Sequence, residues 1–193
     1  MAKFDHFNLI GPIYDWIFHR RNPNRLLEMV GLAAHHTLLD IGGGTGRVSS
    51  RFRAISPSII VADPAMKMLK EARKKGLLSI IANSETLPFR EQSFDRIIMV
   101  DTFHHVADHQ LALDEIWRTL KPGGRLVIEE PNIHNLFAKF IAWGEKILFM
   151  RSKFFPPEAI VSMGAYKDAE NIRLVTKNSI FWVMIDKCNR ALE

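Results

Sequence analysis

The chain has 193 residues, 47% of them apolar and 24% charged, a globular balance that excludes a disordered chain. One cysteine, Cys188, excludes an internal disulfide framework and a four-cysteine zinc site. The net charge of +5 is a small basic surplus, more often a solubility property than the mark of an anionic partner. A chain of this length buries roughly 70% of its unfolded surface and needs no staple.

Residues 1–10 are broken by Lys3, Asp5, His6 and Asn8, so they lack a signal-peptide core, and no charge-free run is long enough to span a bilayer. The expected compartment is therefore the reducing cytoplasm. Lys3 to Leu32 is aromatic and reads as two helical pieces divided near Asn22-Pro23. Leu38 to Ile41, Ser58 to Ala62, Leu77 to Ala82, Arg96 to Val100 and Arg125 to Glu129 are short, nearly continuous apolar runs. Such runs suit strands buried on both faces, hence a parallel sheet. Helical patterns lie between them. Pro64 is expected at a first helical position and Gly76 just past the end of that helix. Leu113, Ile116, Trp117 and Leu120 mark one helical face before Lys121-Pro122-Gly123-Gly124 stops it. Residues 133–150 carry a further helical stripe, ended by Pro156-Pro157. Asn171 to Thr176 and Ile180 to Asp186 read as a hairpin. The expectation is an α/β doubly wound, Rossmann-like sheet of five parallel strands plus a C-terminal antiparallel β-hairpin, with helices on both faces.

The most specific local feature is Asp40-Ile41-Gly42-Gly43-Gly44-Thr45-Gly46, at a strand end where a helix should open. Glycines there permit a tight turn and close approach of a ligand to backbone N–H groups. A dinucleotide fingerprint requires Gly-x-Gly-x-x-Gly, yet Arg47 takes the third glycine from a start at Gly42 and Ser49 from a start at Gly44. The pattern present is Asp-x-Gly-x-Gly-x-Gly.

That pattern resembles motif I of the class I S-adenosylmethionine-dependent methyltransferases. The resemblance continues through Ile60-Val61-Ala62-Asp63-Pro64, Asn83-Ser84-Glu85-Thr86-Leu87-Pro88-Phe89, Ser93-Phe94-Asp95, Phe103-His104-His105-Val106 and Leu120-Lys121-Pro122-Gly123-Gly124. Five signals in this order, over about half the chain, are most similar to the methyltransferase type 11 group, which includes the ubiquinone and menaquinone biosynthesis methyltransferases. The resemblance implies S-adenosyl-L-methionine as cofactor and a small, hydrophobic or aromatic methyl acceptor. It implies that Asp40 organises the glycine loop and helps hold the methionine ammonium. Loop stabilisation alone is the alternative for Asp40. Gly42, Gly44 and Gly46 would wrap the cofactor. Asp63, 19 residues beyond Gly44, would accept both ribose hydroxyls, or else would simply cap the following helix. Asn83 stands where the family usually has Asp, and its side-chain oxygen still accepts a bond from the adenine amino group. Ser84 would offer its backbone N–H to the ring.

Asp101, His104 and His105 follow the fourth strand, next to the expected switch point of the sheet. Asp101 is a candidate for cofactor binding and catalysis. Either histidine could take a proton from the acceptor, or both only line the pocket. His35, His36 and His109 read as solvated loop or helix-start residues, and no cluster has metal spacing.

For the acceptor, Phe4, Phe7, Tyr14, Trp16, Ile17 and Phe18 crowd the N-terminal segment. Phe137, Phe140, Trp143, Phe149, Phe154 and Phe155 crowd the segment after the fifth strand. They read either as an aromatic lid or as ordinary core. Tyr14-Asp15 echoes the quinone methyltransferases and makes Tyr14 a substrate-side candidate. Lys139, Lys146, Arg151 and Lys153 among these aromatics suit a helix lying on a membrane surface. Lys67, Lys70, Arg73, Lys74 and Lys75 read as a solvated helix face, and no nucleic-acid motif accompanies them. One domain is expected: an N-terminal helical lid (1–32), a cofactor-binding core (37–131), a substrate-side helical segment (132–170) and a terminal hairpin (171–186). Two other classes stay open. One is a non-catalytic S-adenosylmethionine-binding protein. The other is a nicotinamide-dependent reductase, against which stands the lack of a Tyr-x-x-x-Lys pair at Tyr14 or Tyr166. Neither the methylated atom nor the oligomeric state can be read from the sequence.

Overall fold

A computed structural model describes residues 23–132, 153–177 and 179–189. In chain order the elements are α1 (Pro23–Val30), β1 (Leu38–Ile41), α2 (Ser49–Phe52), β2 (Ile59–Asp63), α3 (Met66–Lys74), β3 (Leu78–Ile81) and β4 (Phe94–Val100). A one-turn 3₁₀ helix at Phe103–His105 leads into α4 (His109–Thr119), β5 (Leu120–Pro131), α5 (Pro157–Met163), β6 (Ala169–Lys177) and β7 (Ile180–Lys187).

The seven strands form one sheet in the order β3-β2-β1-β4-β5-β7-β6. The first five are parallel. β7 lies antiparallel to both β5 and β6. This is the expected architecture, with the hairpin extending the sheet past β5.

Alternation along each strand sends neighbouring residues to opposite faces. Leu39, Ile97, Leu126 and Phe181 join Leu113, Ile116 and Trp117 of α4 and Ile160 of α5 on one face. Leu38, Ile98, Val127 and Trp182 join Leu26 and Val30 of α1, Phe52 of α2, and Leu69 and Ala72 of α3 on the other. Both faces are therefore covered, which is why β1, β2 and β4 read as nearly continuous apolar runs.

Three local expectations need correction. α3 starts at Met66, two residues after Pro64. The Asp63 carboxylate receives the Ala65 N–H at 2.7 Å, so Asp63-Pro64 belongs to the turn before the helix. β5 begins at Leu120 instead of Arg125, because Leu120 pairs with Phe94 before an irregularity carries the ladder on to Arg96 and Arg125. His109 does open a helix but is buried, its ring packed edge-on against Phe103 and Phe155. Tyr14, the other N-terminal aromatics, and the stripe and cations of 133–152 lie outside the described residues. Among the described residues no helix is long and apolar enough to cross a membrane.

Candidate active site

β1 and β4 are neighbours, and the chain leaves their carboxyl ends toward opposite edges of the sheet. Ligands bind at such a switch point in open α/β sheets. The glycine loop leaves β1 there. Gly42 N–H donates to the Ala62 carbonyl at 2.7 Å, and Gly46 N–H closes a turn onto the Gly43 carbonyl at 2.8 Å.

Asp40 lies beneath the loop, 1% exposed, with one oxygen receiving the Ser49 hydroxyl at 2.6 Å. Gly43 passes so close that a Cβ there would sit 2.5 Å from the Asp40 carboxyl carbon. The other oxygen, Oδ1, is buried with no hydrogen-bond partner among the described residues. Burial pushes the Asp40 carboxyl up to about 7, and the nearby Asp63 charge adds to the effect.

Asp63 ties the loop to the end of β2. Its Oδ2 receives the Gly44 N–H at 2.9 Å and its Oδ1 the Ala65 N–H. Burial raises its carboxyl too, and the two backbone donors oppose that rise. Asp63 therefore does not cap the following helix, whose N-cap is Ala65, and instead braces the preceding turn and the glycine loop. Each oxygen keeps a second lone pair for a ligand hydroxyl.

Gly42 and Gly44 differ in what surrounds them. A Cβ on Gly42 would lie 2.1 Å from Thr102 Cγ2. A Cβ on Gly44, where φ is +54°, would meet nothing within 4 Å among the described residues except Asp63 Oδ2 at 3.9 Å. The loop is closed by protein at Gly42 and open at Gly44. An open backbone edge over a buried carboxylate with a vacant lone pair fits a ligand that brings hydroxyls and a cation.

Asn83 is exposed at the turn after β3, where Thr86 N–H donates to its carbonyl at 3.2 Å. Ala82 N–H reaches the Asp63 carbonyl at 3.3 Å, which joins that turn to the end of β2. The Ser84 hydroxyl donates to Glu85. Asp101 ends β4 at a φ of +53°, its carboxylate 3.9 Å from the Arg47 guanidinium. Asp40, Gly42, Gly44, Gly46, Asp63 and Asp101 are thus gathered at the ends of β1, β2 and β4.

The histidines lie one turn further on. His104 is 2% exposed, with Nδ1 2.5 Å from Glu130 Oε2. Its ring stacks on Phe154 with centroids 4.4 Å apart and lies 4.0 Å from His105. Lys153 N–H donates to the His104 carbonyl at 2.8 Å, so residues 153–155 rest on this turn. Burial and the neighbouring His104 lower His105 to about 3, which keeps it neutral at physiological pH. Phe154 and Phe155 combine the two expected roles: Phe155 joins the core, while Phe154 faces a site histidine.

Sequence reasoning missed two organising acids. Glu130 Oε1 receives the N–H groups of Thr102 at 3.0 Å and Phe103 at 2.8 Å. Glu85 Oε1 receives those of Ala107 and Asp108. Glu130 had left a signal, since Glu129-Glu130 directly follows the apolar run Leu126-Val127-Ile128, and both residues are buried. Thr102 completes the set, its hydroxyl shared between the Gly42 carbonyl at 3.2 Å and the Val100 carbonyl at 3.0 Å.

Comparison with known proteins agrees with this geometry. Residues 39–128 match the family model described as a methyltransferase domain. The ubiquinone/menaquinone biosynthesis C-methyltransferase UbiE of Pectobacterium carotovorum is 32% identical over 188 residues, covering 90% of this chain and 72% of that protein. The Pasteurella multocida UbiE is 33% identical over 135 residues, covering 64% of this chain and half of that protein. Among solved structures, a Thermotoga maritima S-adenosylmethionine-dependent methyltransferase, described as a possible histamine N-methyltransferase, superposes with a TM-score of 0.75 at 24% identity. That match covers 94% of this chain and 98% of the other. A Haloferax volcanii complex of the Trm112 methyltransferase activator with a methyltransferase gives a TM-score of 0.84 at 15% identity, covering 97% and 99%. At such identities the two structures speak for the fold alone.

The chain belongs to the class I S-adenosylmethionine-dependent methyltransferases, within the type 11 group, and its cofactor is S-adenosyl-L-methionine. The open edge at Gly44 and the vacant Asp40 oxygen fit that group.

Proposed function

We propose that this chain methylates a small hydrophobic acceptor with an aromatic ring, a carbon of a reduced quinone ring being the first choice. The observation that carries the reading is the pairing of an open glycine loop with an aromatic cluster of His104, His105 and Phe154. The relatives named for ubiquinone and menaquinone biosynthesis support the quinone class.

In this reading Asp40 holds the cofactor's ammonium, Gly42, Gly44 and Gly46 follow its backbone, and Asp63 accepts the ribose hydroxyls. Asn83 and Ser84 take the adenine, and Asp101 closes the site beside Arg47. The cofactor supplies an already activated methyl group, so the chain has mainly to orient the acceptor and exclude water. His105 is too weakly basic to hold a proton and lines the pocket. His104 takes the proton that the acceptor carbon loses. The segments 1–32 and 132–170 supply the acceptor side, with Tyr14 among its residues, around the core of 37–131.

The test is transfer of tritium from methyl-labelled S-adenosylmethionine to a demethylated, reduced menaquinone. Label in the organic extract is expected. A folded chain that binds S-adenosylhomocysteine but labels neither this acceptor nor a lipid extract would fit a non-catalytic binding protein instead.

A further inference from the structure

Glu130 projects from the end of β5 and makes three contacts with the turn after β4. Oε1 receives Thr102 N–H and Phe103 N–H, and Oε2 faces His104 Nδ1. A carboxylate only accepts, so the proton between them is on Nδ1, as the network requires. When the ring is neutral, Nε2 then carries the lone pair. Two fixed backbone donors leave the carboxylate little freedom to rotate, and Phe154 and His105 pack against the ring. Thr102, held by the same carboxylate, has its hydroxyl within reach of the Gly42 and Val100 carbonyls, so the arrangement abuts the glycine loop.

We propose that Glu130 is a positioning residue for methyl transfer: it fixes His104 as the Nδ1–H tautomer and so presents Nε2 as the proton acceptor. This rests on the function proposed above. As the acceptor carbon gains the methyl group, the sulfur keeps the electron pair of the broken bond, and the proton lost by that carbon passes to Nε2. A carboxylate that orients an imidazole in this way serves general bases on unrelated folds.

Glu130→Gln tests the assignment. The amide oxygen can still accept from Thr102 and Phe103, which turns the NH₂ toward Nδ1 and forces the proton to Nε2. Nitrogen-15 histidine spectra of the full chain, with His104 identified by the signals lost in His104→Asn, read the tautomer without any acceptor. The expected result is Nδ1–H in the wild type and Nε2–H in Glu130→Gln, with unchanged affinity for S-adenosylhomocysteine. Label transfer to the reduced quinone should fall by about 10²–10⁴-fold at unchanged KM for S-adenosylmethionine. An Nε2–H tautomer in the wild type would overturn the proposal even if the variant failed to fold. So would an unmoved tautomer, or undiminished transfer, in a folded variant. Failure of the wild type to bind S-adenosylhomocysteine would count against the proposed function, while the tautomer would still decide this inference.

Discussion

Gly42 and Gly44 are two residues apart in one loop, both at positive φ, yet they answer to different demands. Gly42 lacks a side chain because Thr102 occupies the space, whereas Gly44 faces open space among the described residues, where the proposed reading puts the ligand. Gly42→Ala should therefore destabilise the apo-protein more than Gly44→Ala. Each loses on the order of 1 kcal/mol or more to backbone strain, and only Gly42→Ala adds a clash with Thr102. Urea denaturation of both variants checks the order, and equal midpoints would refute the distinction. Asp40 gives a second prediction at this scale. Its folded carboxyl titrates near 7, well above the ordinary 3.8. Between those values the native state binds more protons than the unfolded chain, so stability should fall as pH rises from about 4 to 7. The slope from this group is at most about 1.4 kcal/mol per pH unit. Asp40→Asn keeps an acceptor for Ser49 and should remove that slope while weakening the cofactor. Apo-protein melts across this pH range, in wild type and variant, measure it. The cofactor's cation should favour the ionised carboxylate, so binding near pH 6 should release a proton, read by calorimetry in buffers of different ionisation enthalpy.

At the scale of elements, α4 is held at both ends by side chains. Asp108 caps its start by receiving the Leu111 N–H at 3.0 Å. At its end the buried Lys187 amine, from β7, donates to the carbonyls of Trp117 and Leu120. Asp108→Ala should cost about 1 kcal/mol. Lys187→Met should cost more, about 1–3 kcal/mol, because it strips buried carbonyls of their donor. Chemical denaturation ranks the two, and the opposite order would remove the terminal hairpin from its role in holding α4. Helix existence was legible from the spacing of Leu113, Ile116 and Trp117, all of them buried. The start of α3 was not, because Asp63-Pro64 has the composition of a helix entry and yet serves the turn that binds Gly44. His109 was misread because its aromatic neighbours, Phe103 and Phe155, come from other parts of the chain. Glu130 escaped for the same reason: its partners lie across the sheet on the turn after β4.

For the whole molecule, the five parallel strands and the added hairpin could be anticipated because strands covered on both faces have only apolar residues to show. Leu38-Leu39, Ile97-Ile98 and Leu126-Val127 each divide between the two cores. Strand order could be expected only through the family resemblance, since no residue pattern states that β1 lies beside β4. The gathering of Asp40, the glycines and Asp63, the proposed cofactor side, was legible because these residues lie at strand ends marked by abrupt changes in composition. The proposed acceptor side depends on contacts between distant segments, such as Phe154 on His104, and those leave no periodic trace.

The claim on which the rest depends is that the loop from Gly42 to Gly46 holds S-adenosylmethionine at its open edge. The most direct measurement is calorimetric titration of S-adenosylhomocysteine into the wild type and Gly44→Val, with circular dichroism on the same samples. The wild type should bind, and the variant should lose binding while keeping its spectrum, because a Cβ at Gly44 meets no clash among the described residues and would enter the space proposed for the ligand. Unchanged affinity in Gly44→Val would contradict the loop assignment, and with it the roles given to Asp40, Asp63 and Asn83.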